Sequence, residues 1–139
     1  MIRATLDVNV LASGFQDTPG VPAMLVESWI RGAYELVISD HILDGLSRTL
    51  RKPYFRRQMT PNQVDRVFAL LRTRALVVAP SVTVHGIGED EEDDLVLSTA
   101  LTGAVRFLVT GDKYLQQIGA YQDIIILSPR EFLDLLGSE

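Results

Sequence analysis

The chain of 139 residues has no cysteine, which excludes disulfides and thiolate-held metals. It has only two histidines, so a zinc centre is not expected. No apolar stretch approaches the roughly 18–20 residues that a bilayer-crossing helix needs. The opening MIRATLDVNV places Asp7 inside its apolar run and offers no small-residue cleavage site, against a secretory signal. Repeats, low-complexity tracts and linkers are lacking too. These absences predict a cytoplasmic protein with no membrane association, folded as one domain over residues 1–139. Any metal would be a hard cation held by oxygen.

Hydrophobic residues make up 47% of the chain, enough for a core without staples at this length. Charge is distributed unevenly. Residues 48–74 hold eight of the thirteen basic residues (Arg48, Arg51, Lys52, Arg56, Arg57, Arg66, Arg72, Arg74) against one acid, Asp65. Soon after comes EDEEDD, Glu89 through Asp94, six acids in a row in a chain of net charge −5. A basic segment and an acidic cluster in one small domain suit a polyanion held by arginines while a cation acts on it. The plainer alternatives are arginines on wet helix faces and a hydrated acidic loop.

Apolar patterning gives the organisation. Strands are expected over 2–8, 34–38, 76–79, 105–109 and 123–127. Helices are expected over 20–31, 40–51 behind a Ser39 cap, 61–74, 94–102 and the short segment 113–117. Pro53 breaks the pattern after the second of these. Thr60-Pro61-Asn62-Gln63 and Ser128-Pro129-Arg130-Glu131 are capping boxes with proline at the first helical position, the second opening a terminal helix. Alternating strands and helices with near-continuous apolar strands predict an α/β domain with a mostly parallel, five-stranded sheet covered on both faces.

Ligands of such sheets bind beyond the carboxyl ends of the strands. Extended to ATLDVNVLA, the first strand would put Leu6, Val8 and Val10 on one face and Thr5, Asp7 and Asn9 on the other. Asp7 then ends a buried strand, where a lone carboxylate is costly; capping the next turn is its alternative role. Asp112 follows the VRFLV strand in TGD, with capping of 113–117 as its alternative. Asp93 and Asp94 stand at the start of helix 94–102, where either could be its N-cap. Carboxylates converging from three places repel one another, and Mg²⁺ or Mn²⁺ would remove that cost. Such an ion activates water and stabilises charge on a phosphoryl oxygen. On this division Asp93 and Asp94 belong to a site, and Glu89, Glu91 and Glu92 to a solvated loop.

At these residues the chain resembles the PIN-domain family of metal-dependent nucleases, which includes bacterial toxins of toxin–antitoxin pairs. The resemblance rests on LDVNVLASG (6–14), ISDHILDGLSRTLRKPYF (38–55), EDEEDDLVLSTALTGAVRFLVTGDKYL (89–115) and ILSPREFL (126–133). It implies an acidic pocket, Mg²⁺ or Mn²⁺, single-stranded RNA as substrate, a cognate antitoxin protein and a homodimer. By position Asp7 and Asp112 match the first and last family acids, and Asp93 or its neighbour Asp94 the third. Asn9 and Thr110 match polar residues beside the pocket, and Arg48, Arg51, Lys52 and Arg56 are the arginine and lysine positions expected to hold RNA.

One position departs from the family. A glutamate is usual in the second helix, and aligning Ser39, Leu46 and Leu50 puts Gly45 there. Asp44 is a carboxylate but lies about 100° around the helix, while His41 and Arg48 share the face of Gly45. Asp44 substitutes, or His41 does, or three acids suffice, or catalysis is impaired. A PIN scaffold that binds RNA or a partner without cutting is therefore the alternative function. A phosphatase or receiver-type domain is disfavoured, because Asn9 and an apolar LAS follow Asp7 where a second acid would be expected. Tyr54, Phe55 and Met59 near the Pro53 break suggest either a contact surface or packing between helices.

Overall fold

The computed structural model describes residues 1–138. In chain order the elements are β1 (Arg3–Leu6), α1 (Val8–Gly14), α2 (Val21–Ile30), β2 (Glu35–Ser39), α3 (Asp40–Leu50), α4 (Pro53–Arg56) and α5 (Pro61–Arg74). They continue with β3 (Leu76–Val78), α6 (Glu91–Thr102), β4 (Phe107–Val109), α7 (Lys113–Ile118), β5 (Ala120–Tyr121), β6 (Ile124–Leu127) and α8 (Pro129–Gly137). The sheet runs β3-β2-β1-β4-β6-β5. Its pairs are parallel except β5 against β6. The α/β class with a mostly parallel sheet is as expected; the sheet has six strands rather than five. The extra one, β5, is two residues long and shows no alternation in sequence that could announce it.

The first strand also differs from expectation. It stops at Leu6, and Asp7 caps α1 by accepting from the Val10 amide at 3.0 Å. Val8 through Gly14 are helical, with Val10, Leu11, Ala12 and Gly14 buried. The alternating faces expected beyond Leu6 therefore do not exist, since a short apolar run fits either period. Both capping boxes form, at Thr60–Gln63 and Ser128–Glu131, and Ser39 caps α3.

The three central strands β2, β1 and β4 are buried almost throughout: Ala4 to Leu6, Leu36 to Ser39 and Phe107 to Thr110 have at most 4% of their surface exposed. Such strands need cover on both faces. Helix α6 packs on β1, β2 and β4, and α1 packs on α2 and α3. Phe132 of α8 stacks edge-on against Tyr34 at 5.0 Å between ring centres. The Tyr34 hydroxyl, buried with it, donates to the Leu25 carbonyl at 2.8 Å. Where α1 meets α2 the approach is closest at Gly14. A Cβ there would stand 2.5 Å from Val26 Cγ2 and 2.8 Å from the Pro22 carbonyl oxygen. Backbone cannot yield as a side chain does, so Gly14→Ala is expected to cost about 1–3 kcal/mol through overpacking. Urea unfolding measures it; an unchanged midpoint would show that the two helices have slack.

This topology positions the site. From β1 the chain builds β2 and β3 to one side, then crosses back to place β4, β6 and β5 on the other. The order reverses between β1 and β4, where loops leaving the carboxyl ends diverge and open a crevice.

Candidate active site

The end of β1 and the end of β4 are in register, Leu6 opposite Val109, and the Asp7 amide donates to the Val109 carbonyl at 3.0 Å. A cavity of about 320 Å³ opens there. Asp7 and Asn9 line it from β1 and α1, His41 and Gly45 from α3, Glu92, Asp93 and Val96 from α6, and Gly111 and Asp112 from the β4–α7 turn. Three aspartates distant in sequence thus face one space because three element ends meet there.

Each is held by its local structure. Asp7 accepts from the Val10 amide through Oδ1 and from the buried Thr110 hydroxyl through Oδ2. Thr110 in turn accepts from the Asp112 amide at 3.0 Å, so one threonine ties the first acid to the last. Asp112 uses Oδ1 to cap α7 at Tyr114 and Leu115 (2.8 and 3.2 Å). Asp93 accepts from the Glu89 amide through Oδ2 at 3.1 Å. The capping roles and the shared cavity are compatible, since a carboxylate oxygen has two lone pairs.

The electrostatics show the strain of this gathering. Burial pushes the Asp7 carboxyl above its usual range and the Asp112 charge adds to it, against the opposing Thr110 and Val10 hydrogen bonds. Asp93 is pushed up to about 6, by burial first and then by Asp112, Asp90 and Asp7. A raised folded-state value means the folded protein holds its proton more tightly than the unfolded chain. Stability from Asp93 is therefore fully present below about 3.8 and lost as pH rises through about 6. Asp94 and Glu131, both lowered, act in the opposite sense. We accordingly expect the melting temperature of metal-free wild type relative to Asp93→Asn to fall as pH rises from about 4 to about 6. A pH-independent difference would remove the proposed mutual repulsion.

Asp94 does not belong with Asp93. Its carboxylate is buried on the other side of the helix start and accepts from three successive amides, Gly86, Ile87 and Gly88, at 2.8, 3.1 and 2.7 Å. These bonds, led by that from Gly88, hold its pKa below the usual carboxylate range. Of the two aspartates offered as the third acid, Asp93 lines the cavity, while Asp94 fastens the loop before α6. Neither aspartate is the cap of that helix. Asp90 is, accepting from the Asp93 amide at 3.0 Å, so α6 begins three residues earlier than the expected 94. That shift carries Glu92 out of the supposed loop and onto the cavity wall. Glu92 and Val96, four apart, share a helix face, a signal hidden by the misplaced start.

On α3, Gly45 lines the cavity with His41, while Asp44 is exposed and off its wall. A Cβ at residue 45 would stand 2.9 Å from Val8 Cγ2, and β-branched Val8 has little rotamer freedom in a helix. Of the four basic residues expected to hold RNA, Arg48 reaches the rim, donating to Glu92 Oε1 at 2.7 Å. Arg51 and Arg56 line a separate recess with Leu50 and Met59 between α3 and α5, and Lys52 is exposed at the start of α4. Met59 is buried and Tyr54 exposed, with Phe55 between them, so packing and surface roles are divided among the three.

Among the described residues no three of Asp, Glu and His stand close enough to ligate one ion directly. The lining acids are nonetheless all oxygen donors facing one cavity. Mg²⁺ is commonly held through one or two carboxylates with water completing its shell. The residues fit a hydrated hard cation rather than a tight protein cage. No helix among the described residues is long and apolar enough to cross a membrane.

The chain matches the PIN domain family over residues 3–114. No match was found among curated proteins. Among solved structures it is similar to a chain of VapBC2 from Rickettsia felis, crystallised bound to a DNA fragment from its promoter, with a TM-score of 0.62 and 15% identity over 91% of this chain and 98% of that one. It is also similar to a chain of FitAcB from Neisseria gonorrhoeae, with a TM-score of 0.55 and 15% identity over the same shares. At that identity the similarity shows a common fold.

Proposed function

Because the chain belongs to the PIN-domain family, we propose that it is a divalent-metal-dependent endoribonuclease that cleaves single-stranded RNA and acts as the toxin of a toxin–antitoxin pair. One observation carries the reading: Asp7, Asp93 and Asp112, from three element ends, line one cavity at the point where the strand order reverses. Similarity to chains of VapBC2 and FitAcB supports a cognate antitoxin as partner; a homodimer and a cytoplasmic location remain part of the proposal.

Asp7, Asp93 and Asp112 would hold Mg²⁺ or Mn²⁺. When bound, the ion supplies positive charge to the phosphoryl oxygens and makes attacking water more acidic. The protein's own contribution is orientation. Thr110 fixes the Asp7 carboxylate and, through the Asp112 amide, the turn that carries the last acid. Asn9 lines the cavity with an amide able to donate to a phosphate or sugar oxygen. Arg51, Lys52 and Arg56 offer positive charge on the neighbouring surface for flanking phosphates.

Mn²⁺ titration calorimetry beside cleavage of a labelled single-stranded RNA tests the reading. Saturable binding and EDTA-sensitive cleavage are expected; absence of both would sink it. Gly45 favours a second reading, a scaffold that binds RNA or a partner without cutting, because the family glutamate is replaced by a residue with no side chain. RNA binding and Mn²⁺ binding without strand scission would establish that one.

A further inference from the structure

Arg48 lies one turn beyond Gly45 on α3, and its terminal nitrogen is 3.7 Å from where a Cβ at residue 45 would stand. The space a side chain would occupy there is bordered by a guanidinium. That nitrogen donates to Glu92 Oε1 at 2.7 Å, and Glu92 belongs to the cavity wall on α6. The ion pair therefore spans the two helices at the rim of an acidic cavity. Its side chains are 53% and 65% exposed, so it is a weak pair, screened by solvent and readily exchanged.

An acidic cavity presents a difficulty for a phosphodiester. Asp7, Asp93, Asp112 and Glu92 all line it, and their charges oppose the approach of another anion. Arg72 pairs with Asp40, and Arg74 and Arg51 donate to the Ile30 and Ser47 carbonyls, all away from the cavity wall. Arg48 is the arginine whose partner is itself a cavity-lining residue. Its planar fork has five donors, and a carboxylate on it stands in for the oxygens of a phosphate, which the same fork accepts bidentately.

We propose that Arg48 binds a phosphate of the substrate RNA at the cavity mouth by exchanging Glu92 for phosphate oxygens. The inference rests on the cavity being an RNA-processing site and assigns it a phosphate-binding residue and an internal competitor. Glu92 is that competitor. It holds the guanidinium at the rim when RNA is absent, and it must release it when RNA arrives.

The competitor role makes an unusual prediction, because removing one half of the pair should strengthen RNA binding and removing the other should weaken it. The test is fluorescence anisotropy of a labelled single-stranded oligoribonucleotide in Ca²⁺, intact length being checked on a gel. Arg48→Ala should weaken binding roughly tenfold, as loss of a charge-assisted contact does. It should also flatten the dependence of log affinity on log salt by about 0.7. Glu92→Gln should tighten binding about threefold, the scale of an exposed pair released. In the Arg48→Ala background Glu92→Gln should tighten binding clearly less than threefold, since only its general repulsion is then removed and the competitor has nothing left to hold. Arg48→Lys should keep most of the salt slope and lose part of the affinity; it carries the test if Arg48→Ala lowers the melting temperature.

If Glu92→Gln weakens RNA binding as Arg48→Ala does, or if neither changes it, the pair is only a strut between helices and the proposal is overturned. If wild type binds no RNA, the reading of the cavity fails and this inference with it. RNA bound by wild type with no Arg48 effect leaves that reading standing and removes only the inference.

Discussion

Asp112→Asn and Asp7→Asn are each expected to lower RNA cleavage by more than about a hundredfold, since even changes to groups that only orient a metal's ligands cost about 10–100-fold. Both should at the same time raise the melting temperature of the metal-free protein. The two effects have one cause. Without a cation, the Asp7 charge is held in a buried place beside Asp112, which is why its carboxyl resists ionisation. Removing a charge relieves that repulsion in the free protein and, on the proposed function, would remove a ligand from the metal-loaded one. Asparagine is the informative substitution because it retains a side-chain oxygen for capping. The acceptor role of Asp7 toward Val10, and of Asp112 toward Tyr114 and Leu115, can persist. A fall in activity accompanied by a fall in metal-free stability would indicate that these aspartates serve the fold through their caps. A melting temperature that rises without loss of cleavage would show that the acids repel but do not ligate. Glu91→Gln, at an exposed position off this cavity, should alter neither quantity.

The architecture was legible because its signals are redundant. Buried parallel strands read as apolar runs, and two capping boxes and a Ser39 cap marked where helices begin, all three of which form. The rule that ligands gather at strand ends pointed to Asp7 and Asp112, both of which line the cavity, and the register of Leu6 with Val109 is what brings those ends together. Gly45 and His41 were placed on one face by helical spacing, and both line the cavity. What failed were boundaries where one composition fits two structures. VNVLA alternates and is also helical in burial, so the strand seemed to pass Asp7 when it stops before it. The acidic run was harder. Six adjacent carboxylates offer several equivalent caps, and only the backbone decides: Asp90 is extended, with φ −143°, and the helix follows it. Moving the start by three residues changes which acids face the cavity, adding Glu92 and turning Asp94 away.

That last distinction yields opposite expectations for two neighbouring aspartates. Asp94→Ala should destabilise the protein by about 3 kcal/mol. The carboxylate accepts from Gly86, Ile87 and Gly88, and hydrogen bonds to a charged group are worth about 1.5–3 kcal/mol each. The total stays below their sum because freed loop amides can find water. For a chain of this size about 3 kcal/mol corresponds to a melting temperature lower by roughly 10 °C. Asp94→Asn, with one carbonyl oxygen in place of two carboxylate oxygens, should lie between alanine and wild type. The advantage of wild type over either variant should shrink as pH falls, because a carboxyl with a lowered folded-state pKa contributes stability above its unfolded value and loses it as it is protonated. Asp93→Asn should do the reverse: raise metal-free stability near neutral pH, where the wild-type carboxylate is ionised among Asp7, Asp90 and Asp112, and weaken Mn²⁺ binding. Asp94 is not without influence on the site, because Gly88, held by Asp94, packs directly against Asp93. Its loss should therefore reduce Mn²⁺ affinity indirectly, by less than Asp93→Asn does, and only together with the loss of stability. If Asp94→Ala abolishes Mn²⁺ binding while leaving the melting temperature unchanged, Asp94 is the ligand, and the three amides would have to release it for the metal.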